Sequence, residues 1–185
     1  MHQRSLALRE KVLGPEHPET GVSLDNIGVV LRHLGRPAEA LPYHRRALAI
    51  TDATIGPDTS EAGGSHGNLG NALIEMGKPK EAFAEFAVAL RLVEADLGPK
   101  HPDLVVFLAG MGDALLDQKQ PAQALPYLER AATLDETGDV QFSLARALWG
   151  SGGDKQRARS LAEQARTKVA AKDQPKVAAW LADPK

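Results

Sequence analysis

Three groups of residues in this chain have types and spacings that could do chemistry. The first is Gly63-Gly64-Ser65-His66-Gly67-Asn68-Leu69-Gly70, a glycine-rich run of the kind that cradles phosphates. Such a cradle needs a strand before the glycines and a helix N-terminus after them. No strand pattern precedes this run and its spacing is not that of a dinucleotide loop, so it reads as a glycine-laden helix. Glycine costs about 1 kcal/mol relative to alanine inside a helix, so four of them weaken this one by about 3–4 kcal/mol before packing. The softest helix of the chain is expected here. The second group is the six histidines. His17 and His101 are far apart, His33 and His44 lie across a turn, and no His-x-x-x-His or His-Glu-x-x-His spacing sets two on one helix face. They are expected in linkers and on solvated faces, with no metal between them. The third group is the carboxylates, which fall where solvated helix faces should be, and no acid–base pair or Ser–His–Asp arrangement stands out among them. A chain without catalytic residues, metal or cofactor, and therefore not an enzyme, is expected.

Composition points the same way. The chain has 185 residues, with 22 basic and 24 acidic side chains and a formal net charge of −2. That balance leaves no electrostatic footprint for nucleic acid or an anionic membrane. Without cysteine there are no disulfides, thiolate nucleophiles or Cys-based metal sites, which fits a cytoplasmic protein. No apolar run reaches membrane-spanning length, and Met1-His2-Gln3-Arg4 leads into an amphipathic pattern instead of an apolar signal core.

The elements that position these residues follow from a returning punctuation. Leu13-Gly14-Pro15-Glu16-His17-Pro18 is followed 42 residues on by Gly56-Pro57-Asp58, and after another 42 by Gly98-Pro99-Lys100-His101-Pro102. Glycine ends a helix, and proline refuses to continue it yet suits the first turn of the next. A fixed period of this length calls for a repeat architecture. Residues 1–13 read as one amphipathic helix with Leu6, Leu8, Val12 and Leu13 apolar. Helical hairpins are expected over 18–55, 59–97, 102–136 and 139–171, and a capping helix and tail over 172–185. The markers Ala40, Ala82, Ala124 and Ala158 advance by 42, 42 and then 34, a shortening assigned to the last linker. Residues 43–50 repeat residues 1–8 in register, so the chain is expected to begin midway through a repeat, as a fragment or from a late start.

These residues resemble the tetratricopeptide repeat, a helix–turn–helix unit with one small residue in its first helix and two in its second. Gly28, Gly70 and Gly112 match the first position, with Arg146 departing from it in the fourth copy. Ala40, Ala82, Ala124 and Ala158 match the second, and Ala47, Ala89, Ala131 and Ala165 the third. The 42-residue step, the Leu-Gly-Pro-x-His-Pro linker and the helix segments at Leu24-Asp25-Asn26-Ile27-Gly28 and His66-Gly67-Asn68-Leu69-Gly70 look like the kinesin-light-chain type. In the third copy, Leu108-Ala109-Gly110-Met111-Gly112, the Asn is lost. The resemblance implies an all-α, right-handed α-solenoid of antiparallel hairpins. Separately, residues 142–149, the Gly152-Gly153-Asp154 turn and Ala179-Trp180-Leu181 resemble the carboxyl-terminal ends of bacterial serine/threonine protein kinases, although no kinase motif is present.

By resemblance, Asn26 and Asn68 point into a concave groove, where an amide both donates to and accepts from a peptide backbone. Helix geometry adds Val22, Val29, Arg32 and His33 from the first hairpin, Asn71 and Glu75 from the second, and Val106, Asp113 and Asp117 from the third. That groove is mixed in charge, basic at one end and acidic at the other. The expected partner is a protein or peptide, with no nucleic acid and no membrane. Docking at the end of a larger kinase, or self-association through residues 1–13, are the rival readings.

Overall fold

The computed structural model describes the backbone of residues 2–184 and the side chains of residues 6–184. Met1, Lys185 and the side chains of residues 2–5, on which the expected match to residues 43–47 rests, lie outside the described residues. Ten α-helices and no strand make up the described residues, an all-α helical-repeat fold. Two compact units divide the chain, residues 1–99 and 100–185.

The first unit contains α1 (His2–Leu13), α2 (Pro18–His33), α3 (Pro37–Thr54), α4 (Ser60–Glu75) and α5 (Pro79–Leu97). Helix α2 packs on α3, α4 on α5, and α1 and α3 each on the helix that follows. The second unit contains α6 (Leu104–Asp117), α7 (Pro121–Leu134), α8 (Gly138–Gly150), α9 (Lys155–Lys168) and α10 (Gln174–Ala182). There α6 packs on α7, α8 on α7 and α9, and α10 on α9.

The hairpin turns are built alike. In the first, Gly35 adopts φ +72 and the backbone N–H of Arg36 reaches back to the carbonyl of Leu31 at 2.9 Å. Gly77 and Lys78 repeat this on Leu73 at 2.9 Å. In the third turn Lys119 stands in the same place and is forced to φ +61, while Gln120 N–H still bonds the Leu115 carbonyl at 2.9 Å. A lysine tolerates this left-handed conformation only at a cost of about 1–2 kcal/mol, so the closing hydrogen bonds of the turn outweigh the strain.

A helix start and a helix end depart from expectation. The first turn of the third hairpin does not begin at Pro102. Leu104 N–H bonds the His101 carbonyl and Val105 N–H that of Pro102, at 3.2 and 3.0 Å, three-residue closures that delay the α-helix to Leu104. The shortened last repeat also differs. Helix α7 stops at Leu134, which is in register with Leu92, whereas α5 runs on to Leu97. The following linker shrinks to residues 135–137, so helix and linker are both trimmed.

Within each hairpin the two helices meet on small residues. All eight marker alanines are at most 1 % exposed. The marker glycines have a more specific use, each lying beneath a large side chain of the second helix. A Cβ on Gly28 would come within 2.4 Å of the His44 ring, one on Gly70 within 2.7 Å of Phe86, and one on Gly112 within 2.4 Å of Leu128. The fourth copy lacks the arrangement: Arg146 stands at the glycine position, and Ala162 at that of the large residue. The Arg146 guanidinium turns to Asp113 at 3.8 Å and to the Phe142 ring at 6.0 Å, and Ala162 packs in a cluster with Phe142 and Ala145.

The glycine-laden α4 gains from the same device. Gly63 lies under Val93 and Leu92, and Gly70 under Phe86, so two of its glycines allow close approach to α5. Packing thereby offsets part of the helix-propensity loss.

Candidate functional site

The residues nominated for a groove fall in both units. In the first unit α2 and α4 touch. Val22 is 53 % exposed, Asn26 and His33 are exposed, and Val29, Asn68 and Asn71 are half-buried. No hydrogen bond holds the Asn26 or Asn68 amide to another described residue. Arg32 and Glu75, expected as separate charges, meet directly, with an Arg32 guanidinium nitrogen donating to Glu75 Oε1 at 2.6 Å. The Arg32 side chain is only 13 % exposed, and its Nε is buried without a partner. Within this unit, therefore, the pair joins the ends of α2 and α4 and largely cancels the expected charge there.

In the second unit Val106 is 47 % exposed and Asp117 exposed. Asp113 is engaged: Ser143 Oγ donates to its carboxylate at 2.6 Å, and Arg146 lies 3.8 Å away. Desolvation raises the Asp113 pKa above the ordinary carboxylate value, against the lowering influence of Ser143, Arg146 and Lys176. Because 40 % of its side chain stays accessible, solvent screens much of that rise.

The histidines are placed differently from the expectation of linkers and solvated faces. His17 and His101 do lie in the linkers, but each caps the chain behind it: His17 Nδ1 accepts from Glu19 N–H at 3.2 Å and His101 Nδ1 from Asp103 N–H at 3.3 Å. His44 is fully buried, its Nδ1 2.7 Å from Asp25 Oδ1, and Ser65 Oγ donates to the other Asp25 oxygen at 3.3 Å. His66 lies 2.6 Å from Glu85.

The repeat register could have revealed both pairs. His44 occupies the position of Phe86 and Leu128, and His66 that of Leu24 and Leu108. Each replaces an apolar core residue with an imidazole that then requires a carboxylate across the hairpin. The Asp25–His44–Ser65 group contains the residue types of a hydrolytic triad in the wrong order. Ser65 bonds the carboxylate instead of the imidazole, and His44 Nε2 is buried against Gly28 without a hydrogen-bond partner. A general base must reach the nucleophile it activates, so this group cannot work as one. No group of three or more potential metal ligands occurs among the described residues, and no helix there is long and apolar enough to cross a membrane.

Comparison with known proteins bears on this geometry. The tetratricopeptide repeat family matches residues 1–53 and 61–137, and a second profile of the same description matches residues 109–175. No curated protein matches the chain. Among solved structures, a Podosopora anserina kinesin light chain with nearly identical TPR-like repeats aligns at 22 % identity and TM-score 0.72, covering 95 % of this chain and 85 % of that one. BtubC (BKLC) from P. vanneervenii aligns at 15 % identity and TM-score 0.76, over 100 % and 73 % of the two chains. YrrB, described as a TPR protein with an unusual peptide-binding site, aligns at 20 % identity and TM-score 0.61, over 97 % and 84 %.

Proposed function

This chain belongs to the tetratricopeptide repeat family, and from that premise we propose that it is a non-catalytic scaffold receiving an extended segment of a protein partner on its first-position helices. The observation that carries the reading is the paired face of α2 and α4. The Arg32–Glu75 bridge at 2.6 Å holds the two helix ends together, while Asn26 and Asn68 keep amides free for a peptide backbone. Val22 and Val29 supply apolar contact beside them. An amide that donates and accepts at once binds a backbone irrespective of side chain, so affinity comes from the amides and selectivity from their neighbours. Asn71 and His33 belong to this face, and Val106, Asp113 and Asp117 offer a second stretch in the other unit. YrrB's described peptide-binding site is in keeping with such a ligand.

The test is selection of peptides from a displayed random library on the intact chain, followed by hydrogen-exchange mapping of an enriched peptide. Protection confined to α2 and α4 supports the reading. Protection on α3 and α5 alone defeats it.

One observation favours a second reading, self-association through α1. Leu8 is 63 % exposed although the residues in register with it, Ile50 and Leu92, are 1 % and 4 % exposed, and Val12 on the same face is 69 % exposed. Light scattering on the chain and on an L8E/V12E variant distinguishes the cases: association lost with the variant supports it, and a monomeric parent chain refutes it. The tail motif at residues 142–149 and 179–181 is in keeping with docking at the end of a bacterial serine/threonine kinase. The genomic frame upstream of Met1 tests that context. The absence of cysteine suits a cytoplasmic setting.

A further inference from the structure

The second helix of the last hairpin, α9, departs from its counterparts in sign as well as polarity. In α3, α5 and α7 one face begins with Pro37, Pro79 or Pro121 and continues one turn later with Leu41, Phe83 or Leu125, all half-buried. In α9 the same two positions are Lys155 and Arg159. An array end needs a polar face to stay in water, but that requirement sets no sign. Helix α9 nevertheless carries five cations, Lys155, Arg157, Arg159, Arg166 and Lys168, against the single carboxylate Glu163, in a chain of net charge −2.

Two of these cations are engaged at the rim, Arg157 with Glu129 at 3.1 Å and Lys168 with the Glu136 carbonyl at 3.2 Å. Lys155 and Arg159 instead flank an open cleft of about 520 Å³ lined by Trp149, Lys155, Gln156, Arg159, Ser160 and Glu163. The Lys155 ammonium lies 5.0 Å from the centre of the Trp149 ring. Trp149 is braced edge-on by Trp180 at 5.8 Å, and Arg159 is steadied by the Leu181 carbonyl at 3.2 Å. Trp149 and Arg159 are thus each held from one side, and the α9 residues of the lining are exposed to solvent.

We propose that this cleft docks an acidic peptide segment, at a site separate from the α2–α4 face. Lys155, Arg159 and Glu163 recur every four residues and form one stripe of the helix, with about 6 Å of rise between neighbours. In an extended chain, side chains two residues apart lie about 7 Å apart on one face. The stripe thus matches carboxylate, spacer, carboxylate, spacer, cation. An adjoining aliphatic residue covers Trp149. Nucleic acid and anionic membrane fit less well, because Glu163 and Glu129 interrupt the basic surface.

The experiment is fluorescence anisotropy at low salt with fluorescein-labelled Leu-Glu-Ala-Glu-Ala-Lys and a charge-inverted control, Leu-Lys-Ala-Lys-Ala-Glu. The acidic peptide binds saturably and perturbs tryptophan emission, and K155E/R159E weakens it about tenfold. The milder K155Q/R159Q variant gives the same direction should the reversal disturb folding, which circular dichroism checks. N26A/N68A leaves this binding unchanged, so failure here and failure of the groove reading are distinguishable. The proposal is overturned if the control binds equally well, if both cleft variants bind as the parent does, or if oligothymidylate or phosphatidylserine vesicles bind more tightly than the acidic peptide.

Discussion

Gly70→Ala is the sharpest probe of how these hairpins pack. The added Cβ would sit 2.7, 2.8 and 2.9 Å from Cε1, Cδ1 and Cζ of Phe86, well inside ordinary contact distance. Phe86 is 0 % exposed, so the ring has no open side to move toward. Overpacking of this kind costs about 1–3 kcal/mol, while alanine returns about 1 kcal/mol of helix propensity. The net loss is then about 0–2 kcal/mol, which places G70A about 1–3 kcal/mol below the control that follows. Gly64→Ala in the same helix is the matched control. Nothing lies within 4 Å of its Cβ position, so only the propensity gain of about 1 kcal/mol remains. Urea denaturation followed by circular dichroism measures both. Tryptophan emission reads only the other unit, where Trp149 and Trp180 lie, and so tells local from general loss. A double variant G70A/F86A should lose less than the sum of its parts, because the first change clashes only with the ring the second removes. If G70A proved as stable as G64A, the glycine-under-knob account would be wrong for all three copies.

The remaining predictions concern single departures from the repeat. Lys119→Gly relieves a left-handed lysine and should stabilise by about 1 kcal/mol, read as a raised thermal midpoint. Asp25→Ala leaves a buried His44 with neither nitrogen paired and should cost about 1–3 kcal/mol by urea denaturation. Adding His44→Phe, as at Phe86, should recover much of that loss. The Asp113 carboxyl binds its proton more tightly folded than unfolded, so its contribution to stability falls as pH rises from about 4 through its raised pKa. Asp113→Asn should flatten that shallow slope in stability measured against pH.

Much of the fold was legible because punctuation and small residues recur in register. Gly14, Gly56 and Gly98 announce helix ends, and the eight alanines identify the contact between paired helices without any coordinates. What periodicity hid was pairing across the hairpin. A buried histidine looks like a surface histidine in a single sequence, and only its alignment with Phe86 and Leu128 marks His44 as a core residue. Arg32 and Glu75 were both assigned to one face, as separate charges. Their direct bond was not legible, because side-chain reach between adjacent helices depends on helix spacing, which spacing along the chain does not encode. The shortened fourth repeat was visible as a change of period, but the trimming of α7 itself required the observed end at Leu134.

The claim that the α2–α4 face receives a peptide is tested most directly by calorimetric titration of a library-selected peptide into the intact chain and into N26A/N68A. Loss of two backbone-directed amides, each worth about 0.5–1.5 kcal/mol, should weaken binding about tenfold or more. The fold should remain intact, since neither amide supports the core. Equal affinity for the two proteins would contradict the account.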